Sequence, residues 1–239
     1  MKNTITNNTH LNFTKSLKVD LHSHILPALD DGLQSLSELY EVISKYISLG
    51  FEKIIVTPHN HFPIINDANK IFKTLTMIKN FCADNNLNIK LEASSEYFAD
   101  DFFLELLNKN EVIPIKNKYL LIEFDLAENF YNILFYVEKI KEKGYTPIIA
   151  HPERYVYFNS KRELFFKLKE YGALFQVNWI SYNYLFTDLF VYLAENKLIS
   201  FLGSDTHSIV NLKAIENNLM DEKFMNLILS NNIINSTLL

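Results

Sequence analysis

Glycine is scarce in this chain, with 5 among 239 residues. No Gly-rich phosphate loop follows the first predicted strand, so a dinucleotide-binding sheet is poorly supported. A single cysteine, Cys82, excludes an internal disulfide and fits a reducing compartment. It lies within a predicted helix and not on a phosphate loop, which disfavours a cysteine nucleophile. No apolar run is long enough to cross a bilayer. Residues 1–18 are rich in Asn and Thr and lack the apolar segment of a secretory signal, so a tail is expected there. Basic charge is not in excess either: the formal net charge of −5 leaves no footprint for nucleic acid. The expectation is a cytoplasmic protein, with a tail over 1–18 and one domain over 19–239.

Apolar and aromatic residues are plentiful. Hydrophobic residues make up 48% of the chain, with 19 Phe and 13 Tyr, enough for a sizeable core. Short apolar runs at 19–24, 53–57, 88–93, 118–124, 146–150, 173–178 and 198–202 read as strands. Between them, helical spacing of apolar positions predicts helices near 36–49, 67–82, 101–107, 130–141, 162–171 and 185–196, with two weaker ones at 212–219 and 221–229. Ser35 and Glu38 form a capping-box pattern at the first helix, and Gly50 would end it. About seven strand–helix alternations predict an α/β fold with a parallel sheet. An open sheet gathers its ligands at one switch point, whereas a barrel turns every strand end to one mouth. Polar candidates follow nearly every strand here, which favours the barrel.

Those candidates form a pattern. His22 and His24 alternate along one strand and therefore point to the same face. His59, His151 and His207 also fall at or just after apolar runs, as do the carboxylates Asp31, Glu96, Glu123 and Asp205. Any one of them alone is more often a satisfied loop residue or an ion pair. The same relation at six successive strand ends is not what scattered surface residues would give. Mixed imidazole and carboxylate donors without cysteine suit manganese, zinc or iron and argue against a structural zinc site. Nine donors exceed what one ion binds, so two or three metals are implied. Such metals, ~3.5–4 Å apart, can share a hydroxide and clamp the oxygens of a phosphoryl displacement. Arg154 would then grip the phosphoryl oxygens with its planar fork.

Taken in order, His22-Ser-His24, Asp30-Asp-Gly32, Thr57-Pro-His59, Glu96-Tyr97, Glu123-Phe124, Ala150-His-Pro-Glu-Arg-Tyr155 and Gly203-Ser-Asp-Thr-His207 resemble the motifs of the polymerase-and-histidinol-phosphatase (PHP) superfamily. They are most similar to its manganese-dependent bacterial protein-tyrosine phosphatases of capsule and exopolysaccharide loci. The resemblance runs from about Lys18 to the end, and Leu174-Phe-Gln-Val-Asn178 fits it too. It implies a distorted seven-stranded (β/α) barrel, TIM-like in kind, around a three-metal site. His22, His24, Glu96 and Asp205 would hold one ion. Glu96, Glu123 and His151 would hold the second, and Asp31, His59 and His207 the third. Arg154, Asp205 and His207 would be the catalytic residues. Asp30 is read as a loop or supporting carboxylate. His61 has no role in the resemblance, and the aromatic run from Tyr182 to Phe186 departs from the expected pattern; core or interface packing is favoured for it over stacking on substrate.

The expected activity is hydrolysis of phosphotyrosine in proteins by a metal-bound hydroxide, without a phospho-enzyme. Tyrosine's pKa of about 10 makes it a fair leaving group without a strong general acid. Mn2+ is the expected ion, with Fe or Zn as substitutes. The partner implied by the resemblance is the tyrosine-rich tail of a polysaccharide-assembly kinase; the oligomeric state is left open. Two competitors are a small-molecule phosphatase of the histidinol-phosphate type and a non-catalytic metal-binding module.

Overall fold

The computed structural model describes residue 13 and residues 17–127, 129–183 and 186–239, with only the backbone of Asn183. Among these, nine strands alternate with eight α-helices. The strands are β1 Val19–Asp20, β2 Lys53–Val56, β3 His59–Asn60, β4 Lys90–Ala93, β5 Glu96–Phe98, β6 Tyr119–Glu123, β7 Thr146–Ala150, β8 Leu174–Asn178 and β9 Ile199–Gly203. Every pairing between them is parallel, in sheets of order β1-β2-β4 and β3-β5-β6-β7-β8-β9. The α/β class expected from the alternation is the observed one. No helix among the described residues is long and apolar enough to cross a membrane.

The helices start where short polar side chains can satisfy their first N–H groups. Ser35 and Glu38 close the capping box of Leu36–Ser48, which buries Leu39, Val42, Ile43 and Tyr46. Asp67 caps Ala68–Asp84, and Asp100 caps Asp101–Lys109.

Two features differ from the sequence expectation. His59 and Glu96 do not trail their strands but sit on β3 and β5, short strands that follow a break. Pro58 has no N–H to give the ladder, so pairing lapses there and resumes beyond it. Ser94 N bonds Val56 O at 2.9 Å and Glu96 N bonds Pro58 O at 3.2 Å, carrying the two chains across the gap. The first strand is also shorter than 19–24. The Asp20 carboxylate accepts from Ser204 N at 3.0 Å, replacing a ladder bond by a side chain. Backbone pairing returns at Ser23, which bridges Thr206 next to the last strand.

Side chains alternate between two separate apolar clusters. Val19, Leu21, Ile55, Leu121, Ile148, Ala150 and Phe201 form one, with Leu238. Their strand neighbours Ile54, Val56, Leu120, Ile122, Ile149, Phe175, Val177 and Leu202 join the helices in the other. Asn235 Nδ2 ties the first strand to the last, donating to Val19 O and Leu202 O, both at 2.8 Å. Lys53, fully buried, reaches Leu238 O at 2.6 Å.

Of the tail expected over 1–18, residues 1–12 and 14–16 lie outside the described residues. Phe13 stands edge-on to Trp179 at 6.1 Å, and Leu17 is buried.

Candidate metal centre

The strand ends converge on a cavity of about 470 Å³ lined by Asp31, His59, Glu96, Glu123, His151, Arg154, Asp205 and His207, with His61, Phe62, Phe98 and Asp100 at its mouth. Two of the site residues hold left-handed backbones that only glycine adopts freely, His151 at φ 31° and Asp205 at φ 51°. Such conformations cost about 1–3 kcal/mol each and persist where surrounding bonds impose them. Asp205 N bonds His22 O at 2.8 Å, and His151 O accepts from Arg154 N at 2.9 Å. The turns aim both side chains into the cavity.

Three groups of donors gather there. His22, His24, Glu96 and Asp205 lie together, all buried. Glu96, Glu123 and His151 form the second group. Asp31, His59 and His207 form the third, with His24 also within reach. His61 comes close to His59 and Glu123, so this loop residue stands beside the site although no sequence signal gave it a role. Glu96 is the hinge of the arrangement. Its Oε2 lies 3.1 Å from His22 Nε2, 3.2 Å from His24 Nε2 and 3.2 Å from His59 Nδ1, while its Oε1 lies 2.9 Å from His151 Nε2. Asp205 Oδ1 faces His22 and His24 at 3.4 and 3.3 Å. Asp31 Oδ1 is 3.2 Å from His207 Nε2 and 3.5 Å from His59 Nε2.

The donor set fits divalent cations. Gln176 Nε2 donates to Asn178 Oδ1 at 2.8 Å, which turns its Oε1 onto His22 Nδ1 at 2.7 Å. Asp30 Oδ2 takes His24 Nδ1 at 2.8 Å. In the neutral rings both hydrogens therefore sit on Nδ1, and two Nε2 lone pairs face each other at 3.2 Å. Glu96 Oε2, His59 Nδ1 and His151 Nδ1 are buried with no hydrogen-bond partner among the described residues. Lone pairs converging on common points, with buried polar atoms unsatisfied, are what a cation would resolve.

Charge tells the same story. Burial disfavours an imidazolium at His22, but Glu96 and Asp205 outweigh it and lift the ring to about 9. Burial likewise opposes charge on His24, yet Asp205, Asp30 and Glu96 hold it well above the usual histidine range. Burial would raise Glu96 and Asp205; the facing histidines instead hold both carboxyls well below the ordinary range. A cation bound among these groups would compete with protons for the same nitrogens and oxygens.

Several residues that support the site were given no role by the sequence reading. Asp20 Oδ2, Tyr46 OH and Ser204 Oγ form a buried triangle, with Tyr46 OH 2.5 Å from Asp20 and 2.6 Å from Ser204. Glu153 Oε1 accepts from Asn178 N at 2.8 Å and Ser181 Oγ at 2.7 Å, tying the turn that carries Arg154 to β8. Asn178 Nδ2 donates to Asp205 Oδ2 at 2.8 Å. Gln176 and Asn178 are polar at alternate positions of an otherwise apolar strand, which places both on the same face. Tyr182 packs against Phe190 and Phe224, at 5.6 and 5.2 Å, as core. Tyr184 and Leu185 of the same run lie outside the described residues.

Asp30 supports the site from behind. Besides His24, it accepts from Gly32 N at 3.0 Å and His59 N at 2.9 Å. Burial would raise its pKa, but His24 and these donors bring it down to about 2. Asp30→Asn should keep the turn but weaken the hold on His24 Nδ1. We expect metal affinity to fall by about 10–100-fold, read by titration of the metal-free protein; unchanged affinity would refute this role.

A profile for capsular polysaccharide synthesis, CpsB/CapC, matches residues 18–223. The candidate tyrosine-protein phosphatase CapC of Staphylococcus aureus is 35% identical over 201 residues, covering 81% of this chain and 78% of its own. The tyrosine-protein phosphatase YwqE of Bacillus subtilis is 29% identical, with 80% and 78% covered. The crystallographic work on YwqE and on CpsB of Streptococcus pneumoniae, described as unique metal-dependent tyrosine phosphatases, supplies a fold match at TM-score 0.76 and 24% identity, covering 90% of this chain and 96% of the other. A histidinol phosphate phosphatase from Lactococcus lactis, solved with zinc, L-histidinol and phosphate, shares the fold at TM-score 0.56 and 15% identity, covering 87% and 93%.

Proposed function

The chain belongs to the CpsB/CapC family of capsular polysaccharide synthesis, and from that premise we propose that it is a metal-dependent protein-tyrosine phosphatase acting in the cytoplasm on a phosphotyrosine protein of capsule or exopolysaccharide assembly, such as the tyrosine-rich tail of its kinase. The observation that carries the reading is the convergence on Glu96 Oε2, where three imidazole nitrogens stand within 3.1–3.2 Å and no hydrogen bond is made.

The assignment of donors follows the three groups. His22, His24, Glu96 and Asp205 would hold one ion, Glu96, Glu123 and His151 a second, and Asp31, His59 and His207 a third. Manganese is the proposed ion, since oxygen and imidazole donors without thiolate suit it. Bound divalent ions would supply Lewis-acid charge and lower the pKa of water. The chain's own part is positioning. Arg154, with Nη1 3.5 Å from Asp205 Oδ2, is aimed along the cavity wall toward the donors. Its fork matches two phosphoryl oxygens and favours charge developing on them. Asp205 holds that guanidinium in line, while His207 donates Nδ1–H to Asp205 O at 2.9 Å and keeps Nε2 for the cavity. Phe62 and Phe98 offer aromatic faces at the mouth, where a phenyl ring would lie.

The fold we propose around this site is the distorted seven-stranded barrel, within a domain spanning 19–239. Counting β2 with β3 and β4 with β5 as strands interrupted at Pro58 and at Ser94–Ser95 gives seven. His24 N to Thr206 O at 2.9 Å and Asp205 N to His22 O at 2.8 Å would close the first strand onto the last. The separate inner cluster is what a filled barrel interior requires.

The test is stripping the protein with chelator, then adding back manganese, iron or zinc singly, with elemental analysis and turnover of a phosphotyrosine peptide on each sample. Activity should vanish on stripping and return with metal, most with manganese. Turnover that survives complete metal removal, or a preference for histidinol phosphate over phosphotyrosine, would overturn the reading.

A further inference from the structure

The chain has only two arginines, Arg154 and Arg162, all its other fixed cations being lysines. Both line one cavity of about 460 Å³ beside the metal centre. Arg154 lines the metal-centre cavity as well, so its guanidinium stands between the two. Arg162 is half-buried, and its guanidinium lies over the Tyr192 ring, 5.4 Å from the centroid. That stacking fixes the group while leaving its N–H donors unused. Among the described residues, no carboxylate is within ion-pair distance of it. A lysine would serve an ordinary solvated charge equally well; a planar fork held in place and left unpaired suits a planar or tetrahedral anion.

The rest of the wall is compatible with this. Glu153 is buried, with one oxygen engaged by Asn178 and Ser181. Asp188 is exposed, and Asn159 adds a neutral polar group. We propose that this cavity is a second anion subsite, taking a phosphate or carboxylate side chain of the same protein whose phosphotyrosine occupies the metal centre. The inference rests on the phosphotyrosine reading and gives it a substrate preference: a phosphotyrosine with an anionic neighbour.

The experiment compares manganese-reconstituted full-length protein and its Arg162→Ala and Arg162→Lys variants on three peptides. Each carries one phosphotyrosine, flanked by neutral residues, by glutamates, or by a second phosphotyrosine. Wild type should show a KM about tenfold lower for an anionic-flank peptide than for the neutral one, the scale of one charge-assisted bond. Which flank gains tells phosphate from carboxylate. That KM ratio should fall to near one in Arg162→Ala and stay intermediate in Arg162→Lys. Metal content and melting temperature confirm folded protein; if the alanine variant does not fold, the lysine variant carries the test. A wild-type ratio near one, or a ratio that survives in a folded variant with full metal, overturns the subsite and leaves the phosphatase reading standing. Absence of turnover on every phosphotyrosine peptide by metal-loaded wild type overturns that reading itself, and the subsite with it.

Discussion

Glu96→Gln should lower kcat on a phosphotyrosine peptide by at least about 10³-fold, with metal content reduced in the same sample. The substitution keeps the shape of a side chain that is fully buried. What changes is charge and donor pattern. The carboxylate stands within 3.2 Å of His22, His24, His59 and His151. An amide keeps one neutral acceptor oxygen, and its NH2 group has no lone pair to offer a cation. The other carboxylates do not compensate. Glu123 reaches His59 at 3.2 Å and His151 only at 3.7 Å, and of these four histidines Asp205 reaches His22 and His24. Glu96 is thus the side chain shared by the two groups that hold His22 and His151. Losing its charge should cost both at once, so the metal lost should exceed one ion per chain if three are bound. A variant with full metal and activity within tenfold of wild type would remove Glu96 from the centre of the site.

How much of this could be read from the sequence depended on whether the information was local. Histidines after apolar runs mark strand ends because a buried parallel strand is apolar until it surfaces, and the first polar residues lie at the mouth. That made His22, His24, His151 and His207 visible, and the alternation of runs made the α/β class visible. The break at Pro58 was readable in principle, since a proline cannot donate in a ladder; that the chain would pair again at once, placing His59 opposite Glu96, was not. Asp20, Tyr46 and Ser204 were beyond reach for a different reason. They meet across 26 and 184 residues of sequence, and only the docking of the first strand against the last, with the helix Leu36–Ser48 packed over them, brings them together. Asp31 and Asp30 are neighbours in sequence, but one turn sends Asp30 back to His24 and leaves Asp31 facing His207 at 3.2 Å. Position after a strand named the candidates; the turn sorted them.

That turn sets up the second large effect. Gly32→Ala should destabilise the protein by about 3 kcal/mol, a fall in melting temperature of roughly 6–12 °C for a chain of this size, and should weaken metal binding as well. A Cβ at Gly32 would stand 2.0 Å from His24 O and 2.6 Å from His24 Cβ. No rotamer relieves a clash with backbone, so either the 30–33 turn or the strand end must move. The turn is held by Leu33 N to His24 O at 3.0 Å and Gly32 N to Asp30 Oδ1 at 3.0 Å, and lifting it breaks both. Asp30 then leaves His24 Nδ1, and Asp31 swings from His207. Stability and metal affinity are coupled here because one backbone contact positions both carboxylates. Gly144→Ala supplies the contrast. Its φ of +85° makes alanine costly, but nothing lies within 4 Å of the added Cβ. It should lose about 1 kcal/mol with metal affinity unchanged. The measurement is melting temperature with and without metal for each variant. If Gly32→Ala lowers the metal-free and metal-loaded values equally, the turn is structural alone, and the link from Gly32 through Asp30 to the donors is broken.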